Sequence, residues 1–312
     1  MAFNLKTFQT RALTAAVFVV VMVAGLCWNA WTFFILFSVI HFGCWFEYHR
    51  LMSKIDGDYG HINPVHQYAV MLAGWSLMFW FAPSQCYTGD FNLQQAGKWM
   101  GLVMLAVVCL SEIILFKKAR LKNLAYSAFG LVYISFSLGL LMNLYGIAFR
   151  KLTLTVPSAD WHLTDGHFIF RYGWIVPAII IGTLWINDTM AYITGSFIGK
   201  TPLSPISPKK TREGTIGGIL LSVICTGLVC RQIFPALPAP GFSFHVPAIF
   251  WYMLAAVVAI SGTIGDLLES KLKRMANVKD SGSFMPGHGG FLDRFDSMLL
   301  AVPFAWLCLL LL

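Results

Sequence analysis

Nine apolar runs alternate with polar connections along the chain, at approximately 12–28, 30–46, 67–82, 98–116, 125–149, 173–194, 214–231, 247–268 and 296–312. A helix crosses the hydrocarbon layer of a bilayer with roughly 20 mainly apolar residues. The shorter runs meet that length by tilting, or by anchoring flanking Trp and Tyr at the interface. Trp28, Asn29 and Ala30 alone divide the first two runs. Those runs form either a tight helical hairpin or one long broken helix. The pattern predicts an all-α fold, a polytopic integral membrane bundle of about nine transmembrane helices. We read residues 1–312 as a single membrane domain, with N-terminal spans over 1–180 and a catalytic half over 181–312.

Composition changes little in this picture. The chain is 57% hydrophobic and 12% charged, whereas a soluble domain carries about a quarter charged residues. The charge pattern adds orientation. Seventeen Lys and Arg fall on the odd-numbered connections and five on the others. That asymmetry puts the N-terminus in the cytoplasm and the C-terminus outside. The formal charge of +8 is then a matter of topology, and no nucleic acid is expected. Lys6 and Arg11 precede the first run without a small-residue cleavage site after it, so a retained first span is expected. The seven cysteines include no CxxC pair and support neither a disulfide framework nor a zinc site. The connection 150–172 reads as an ordinary outer polar loop, and 235–247 as a proline-rich outer turn.

Four places carry residues that an apolar protein has no need of. In PGHGGFLDRFDS, Asp293 and Asp296 are three apart, on one face of a first helical turn, beside Arg294. Helix capping is the plain alternative; carboxylate pairs also suit a hard cation such as Mg²⁺. In SGTIGDLLESKLKR, Asp266 follows a long apolar run, where an ionisable residue is costly. Glu269 is expected at the interface, four residues before Lys273 in the favourable ion-pair order. In LWINDTMAYITGSFIGK, Asn187 and Asp188 lie inside an apolar run, as a polar site or as part of a small-residue packing face. In SPISPKKTREGTIGG, Lys209, Lys210 and Arg212 follow Pro205 and Pro208 and precede Gly214, Gly217 and Gly218. Helix-start amides there, with the cations, would hold phosphate. Topological charge and close helix packing are the alternatives. Carboxylates at three places and cations at two make the inventory of a metal-bound polyphosphate site.

The segment SKLKRMANVKDSGSFMPGHGGFLDRFDS, Ser270 to Ser297, resembles the signature of phosphatidate cytidylyltransferases, also called CDP-diacylglycerol synthases. Ser270, Lys273, Arg274, Lys279, Asp280, Pro286, Gly287, His288, Gly289, Gly290, Asp293, Arg294 and Asp296 fall in its register. SPKKTREGTIGG and NDTMAYITGSFIGK are similar to other family segments, so the resemblance covers about 187–297. It implies an integral membrane enzyme that uses CTP and phosphatidic acid, with Mg²⁺, and releases pyrophosphate. By motif position, Asp266, Asp293 and Asp296 are the expected metal carboxylates, and Lys273 and Arg274 act with them on phosphate. Asn187, Asp188, Ser207, Lys209, Lys210, Lys279, His288 and Arg294 are the expected substrate-binding residues. The acids are expected to converge on one ion near the inner leaflet. The expected setting is the bacterial inner membrane, with membrane lipid around the protein, a site open to the cytoplasm, and a homodimer left open. A CTP-dependent lipid-alcohol kinase, a cytidylyltransferase for another lipid, and an ion-coupled transporter are the competing readings.

Overall fold

The computed structural model describes residues 5–82, 92–114, 121–153, 173–233, 248–284 and 289–311. All nine predicted runs fall on helices. Helix α1 (Leu5–Cys27) is followed by α2 (Ala30–Ile55), the one-turn α3 (Gly57–Gly60), α4 (Pro64–Trp80) and α5 (Leu93–Ile114). Then come α6 (Leu121–Gly130), a π-helical turn (Leu131–Phe136), α7 (Ser137–Thr153) and α8 (Ile175–Ile198). Two strands, β1 (Pro202–Ser204) and β2 (Ser207–Thr211), precede α9 (Arg212–Ile233), α10 (Ala248–Met275) and α11 (Leu292–Leu310). Among the described residues, six helical stretches are long and apolar enough to cross a membrane. The apolar stretch of α1, Leu13–Cys27, is shorter, α4 has 17 residues, and α11 opens with Asp293, Arg294 and Asp296. Many apolar side chains point outward, among them Leu102 and Val103 on α5 and Leu220 and Ile224 on α9. Lipid, not water, is the solvent such faces fit.

The first two runs form a hairpin. Asn29 ends the ambiguity: its side chain accepts the Thr32 N–H at 2.9 Å, and the Thr32 hydroxyl accepts the Asn29 N–H at 3.1 Å. This reciprocal capping box starts a new helix, and α1 and α2 pack together.

The chain gathers into two compact units. The first comprises Met1–Asn143 with Leu272–Phe295, the second Leu144–Lys271 with Asp296–Leu312. In the first, α2 forms the core, with Phe33, Phe37, Trp45 and Tyr48 fully buried. Several of its buried polar groups are paired inside the unit. The Ser135 hydroxyl, carried by the π turn, takes the Trp45 indole N–H at 2.8 Å and lies 3.0 Å from His41 Nε2. Burial with such partners satisfies groups that lipid cannot. Helix α5 lies close on α4 through Gly97 and Gly101, a G-x-x-x-G spacing that lets backbones approach.

In the second unit, α8 packs on α9 through Gly195, Gly214 and Gly218. Between these helices the basic connection, expected as a loop, is an antiparallel hairpin with Pro202 opposite Thr211 and Ser204 opposite Ser207. Pro205 falls in its turn and Pro208 in its short second strand, outside any long ladder that a missing N–H would break.

A side chain at Gly97 has nowhere to go, since a Cβ would stand 2.6 Å from Phe79 Cβ and 2.7 Å from the Trp80 nitrogen. Gly97→Leu is expected to destabilise the protein by about 1–3 kcal/mol, the usual range for overpacking. A lowered midpoint for thermal unfolding in detergent would report it, and an unchanged midpoint would refute the close contact.

Candidate active site

The signature segment begins inside the end of α10, which stops at Met275. The Val278 N–H donates to the Lys273 carbonyl at 2.9 Å and the Asn277 N–H to the Arg274 carbonyl at 3.1 Å. Asn277 has φ +52°, the left-handed conformation that this paired bonding requires, and asparagine tolerates it better than most residues. Lys273 and Arg274 stand on the last helical turn, and the chain beyond it, described over 276–284 and again from 289, forms the turn that meets α11.

Asp293, in the first turn of α11, is held from every side. Its Oδ1 accepts the Lys273 ammonium at 2.7 Å. Its Oδ2 accepts the Ser281 N–H at 2.9 Å and the Gly290 N–H at 2.8 Å, and the Ser281 hydroxyl, whose single proton is shared with Glu47, lies 2.9 Å away. Burial alone would raise this carboxyl, but the Gly290 N–H, the Lys273 ammonium and the Ser281 hydroxyl outweigh it and hold it down at about 2. Gly289, at φ +82°, sits against the same oxygen, so the turn tolerates a side chain there neither in conformation nor in space.

A second buried carboxylate completes this turn, and it comes from α2. The Oε1 of Glu47 accepts the Phe291 N–H at 2.9 Å, and its Oε2 accepts the Leu292 N–H at 2.8 Å and the Ser281 hydroxyl at 2.7 Å. The predicted second run stops at Phe46, so the sequence pattern assigns Glu47 no role; the helix continues to Ile55. One turn and two turns further along α2, Arg50 and Lys54 line a cavity of about 140 Å³ with Val278 and the stretch Asp280–Ser283. All these residues belong to the first unit.

In the second unit, Asp266 on α10 forms an ion pair with Lys210 of β2, and the Ser270 hydroxyl reaches its other oxygen at 3.5 Å. Gly265 packs against the backbone of Asp296 and Ser297, where a Cβ would lie 2.7 Å from the Asp296 carbonyl oxygen. The chain beside Asp266 therefore meets the second acid of α11. Asp296 is buried, and its Oδ1 accepts the Ser297 N–H at 2.6 Å. Asn187 on α8 is buried and donates to the Thr263 hydroxyl at 3.4 Å, whereas its neighbour Asp188 is exposed.

Other expectations fare differently. Ser207 and Lys209 lie on β2, and Arg274, Lys279 and Arg294 are exposed. His288, with Pro286 and Gly287, lies outside the described residues, as do the connections around 154–172 and 234–247. Glu269, expected at the interface, is fully buried. The helix-start amides of α9 are not an open phosphate cradle. Thr211 caps that helix by accepting the Gly214 N–H at 3.1 Å. Glu213 fills the positive end and accepts the Lys200 and Thr201 N–H groups, both at 3.1 Å. The glycines there serve close packing.

The profile of the Cytidylyltransferase family matches residues 9–312. The chain belongs to this family. Among its relatives, the phosphatidate cytidylyltransferase of Staphylococcus haemolyticus is 33% identical over 211 residues, 67% of this chain and 71% of that one. The phosphatidate cytidylyltransferase of Bacillus subtilis is 42% identical over 129 residues, 41% of this chain and 45% of the relative. That of Thermotoga maritima is 43% identical over 130 residues, 41% and 47% respectively. The match thus spans about half the length of the Bacillus and Thermotoga relatives. Membership in the family places the chain among cytidylyltransferases, on a scaffold that is helical apart from the short hairpin β1–β2.

Whether the family's acids suit a divalent ion is a question of donors. Neither unit by itself gathers three or more His, Cys, Asp or Glu side chains that could hold a metal, among the described residues. The donor chemistry nonetheless fits at Asp266 and Asp296, whose carboxylate oxygens are the hard ligands Mg²⁺ takes, often with water and phosphate completing the shell. The Lys210 ammonium already places positive charge on Asp266. Asp293 offers the same hard donors, and like those of Asp266 both of its oxygens are engaged, by Lys273 and by the turn, so either acid would exchange a protein partner for the ion.

The Asp293 carboxyl titrates at about 2 when folded against 3.8 ordinarily. A depressed folded value contributes stability above the unfolded value and loses it as pH falls toward the folded one. The protein's unfolding midpoint is therefore expected to drop between about pH 4 and pH 2, and Asp293→Asn to flatten that limb. Parallel acid limbs for both proteins would contradict the arrangement.

Proposed function

We propose that this protein is a phosphatidate cytidylyltransferase, joining CTP and phosphatidic acid into CDP-diacylglycerol and pyrophosphate. The observation that carries the reading is the unbroken signature over 270–297, in a chain of this family whose relatives bear that name. The structural support is chemical: buried or half-buried acids and the lysines paired with them are what a reaction between two phosphorylated anions needs.

An oxygen of the lipid phosphate attacks the α-phosphorus of CTP. The new P–O bond forms as the bond to the bridging oxygen breaks, and pyrophosphate leaves with that electron pair. The phosphate is already a nucleophile, so no serine or cysteine is required. Positioning and charge neutralisation supply most of the catalysis in phosphoryl transfer, and nucleotidyl transfer follows the same logic. Bound Mg²⁺ would neutralise phosphate oxygens and raise the electrophilicity of the phosphorus. Asp266 and Asp296 would hold it. Lys210 and Lys209 would receive the charge of the nucleotide phosphates, and Lys273 and Arg274 that of a second phosphate. Asn187 and Asp188, with Ser207, Lys279, His288 and Arg294, are the remaining candidates for substrate contact. The reaction would serve phospholipid synthesis, at a site reached by lipid through the bilayer and by nucleotide from the cytoplasm.

Radiolabelled CTP, phosphatidate and the purified protein in detergent test the reading directly. Transfer of the cytidine label to lipid, dependent on Mg²⁺, is expected. Transfer of only the γ-phosphate would indicate a lipid kinase, and labelled lipid from a different acceptor alone would reassign the substrate. Asp266→Asn is expected to lower turnover by about 10²-fold or more, the scale of losing a charge-stabilising group. Lys210→Ala is expected chiefly to raise the KM for CTP. Normal rates from both variants would remove the pair from the site.

A further inference from the structure

Glu47 touches a segment more than 230 residues away in the chain, and it does so with both oxygens. It is 9% exposed, so protein donors have replaced nearly all of its water. A carboxylate in that position is costly unless its lone pairs are filled. Three donors fill them: the N–H groups of Phe291 and Leu292 and the hydroxyl of Ser281. The two amides belong to the start of α11, where N–H groups have no intrahelical acceptor and the helix end is positive. Glu47 therefore caps, from α2, the helix that carries Asp293 and Asp296.

The turn is also shaped around this side chain. A Cβ added at Gly282 or at Gly290 would collide with the Glu47 carboxylate, so both limbs of the turn close on it. Ser281 couples the two acids. Its hydroxyl lies 2.7 Å from Glu47 Oε2 and 2.9 Å from Asp293 Oδ2, and its N–H is fixed on Asp293. Moving Glu47 would release Ser281, and with it one of the groups that orient Asp293.

We propose that Glu47 is a positioning residue for the cytidylyltransferase reaction, setting Ser281 and the start of α11 at Phe291 and Leu292 without touching substrate. The inference rests on the functional reading above. Its sequence position, in the N-terminal half and outside the segment 187–297 that carries the resemblance, also makes the first unit a working part of the catalytic apparatus. A group that only stabilised the fold would change the amount of folded protein and leave turnover per folded molecule intact. A positioning group lowers kcat with little effect on KM.

The test uses the full chain in lipid–detergent micelles, with the folded fraction taken from size-exclusion elution. Glu47→Gln keeps the shape but replaces one accepting oxygen with an NH2 donor, which then faces either the Phe291 N–H or the Leu292 N–H. It is expected to lower kcat per folded molecule about tenfold or more, with the KM for CTP within about threefold of the parent. Backbone amides at 281, 291 and 292 are expected to exchange hydrogen faster. Glu47→Asp, one methylene short but charged, is expected to recover part of the kcat. Parental kcat in folded Glu47→Gln, a loss explained wholly by unfolded protein, or unchanged exchange at these amides would overturn the proposal. Should Glu47→Gln not fold, Ser281→Ala removes the shared hydroxyl. A several-fold lower kcat in its folded form is expected, and an unchanged one overturns the coupling. If the parent protein itself transfers no label from CTP, the functional reading fails, and with it the catalytic role; amide exchange in Glu47→Gln then decides the anchor alone.

Discussion

A carboxylate removed from water loses several kcal/mol of solvation that its surroundings must return. The first unit meets that demand twice within one turn, at Glu47 and at Asp293, and most local features of the turn follow from it. The donors Ser281, Gly290 and Phe291 lie outside helix, where N–H groups would already be committed, and Leu292 is the first residue of α11, whose N–H has no intrahelical acceptor. The turn must come close to both acids, which leaves no room for side chains at 282, 289 and 290. It must leave α10 sharply, which the left-handed Asn277 achieves. The glycines of the signature are thus consequences of the two acids as much as features in their own right.

The same economy of charge recurs in the second unit. Asp266 is paired with Lys210, as Asp293 is with Lys273. Each pair sets a positive charge beside an acid that lipid and protein would otherwise leave uncompensated. Each also stores a cation beside an acid. In the proposed reaction two anionic phosphates must approach one another, and paired lysines can be re-partnered to an arriving phosphate without a new charge being brought into a low-dielectric setting. A lone lysine or lone aspartate would have to be desolvated first. The arrangement therefore suits catalysis and stability at once.

Much of the scaffold could be read from the chain because apolar runs long enough for a bilayer have few alternative fates. Every such run became a helix. The hairpin 202–211 escaped because five residues containing Pro208, Lys209 and Lys210 show no apolar alternation, and its pairing depends on the helices that flank it. The burial of Glu269 was not legible, because a charge near a helix end suggests its depth in a membrane, whereas burial against protein depends on tertiary neighbours. Lys273 was recognisable, but its hydrogen bond to Asp293, twenty residues on, was not a local matter. Glu47 was the largest omission. A single acid following Phe46 ends an apolar run by composition, and only the fold reveals that it faces N–H donors near the other end of the chain. The available signal was the unexplained cost of an acid inside a helix that continues for two more turns.

The basic hairpin shows how packing can decide between two chemical readings of one motif. Lys209, Lys210 and Gly214–Gly218 suggested a phosphate cradle of backbone amides. In the fold, Gly214 and Gly218 press against Ala191 and Asn187 of α8, which closes that side of α9. Thr211 takes the Gly214 N–H, and Glu213 brings its own negative charge to the helix end. An anion arriving there would meet a carboxylate and a committed donor. Any phosphate bound by this hairpin must therefore be held by lysine side chains, as a point-charge interaction with long, mobile stems. Lys210, already drawn to Asp266, is the one whose charge the structure ties to an acid of the signature half, and this is why nucleotide affinity should follow that residue and not the glycines.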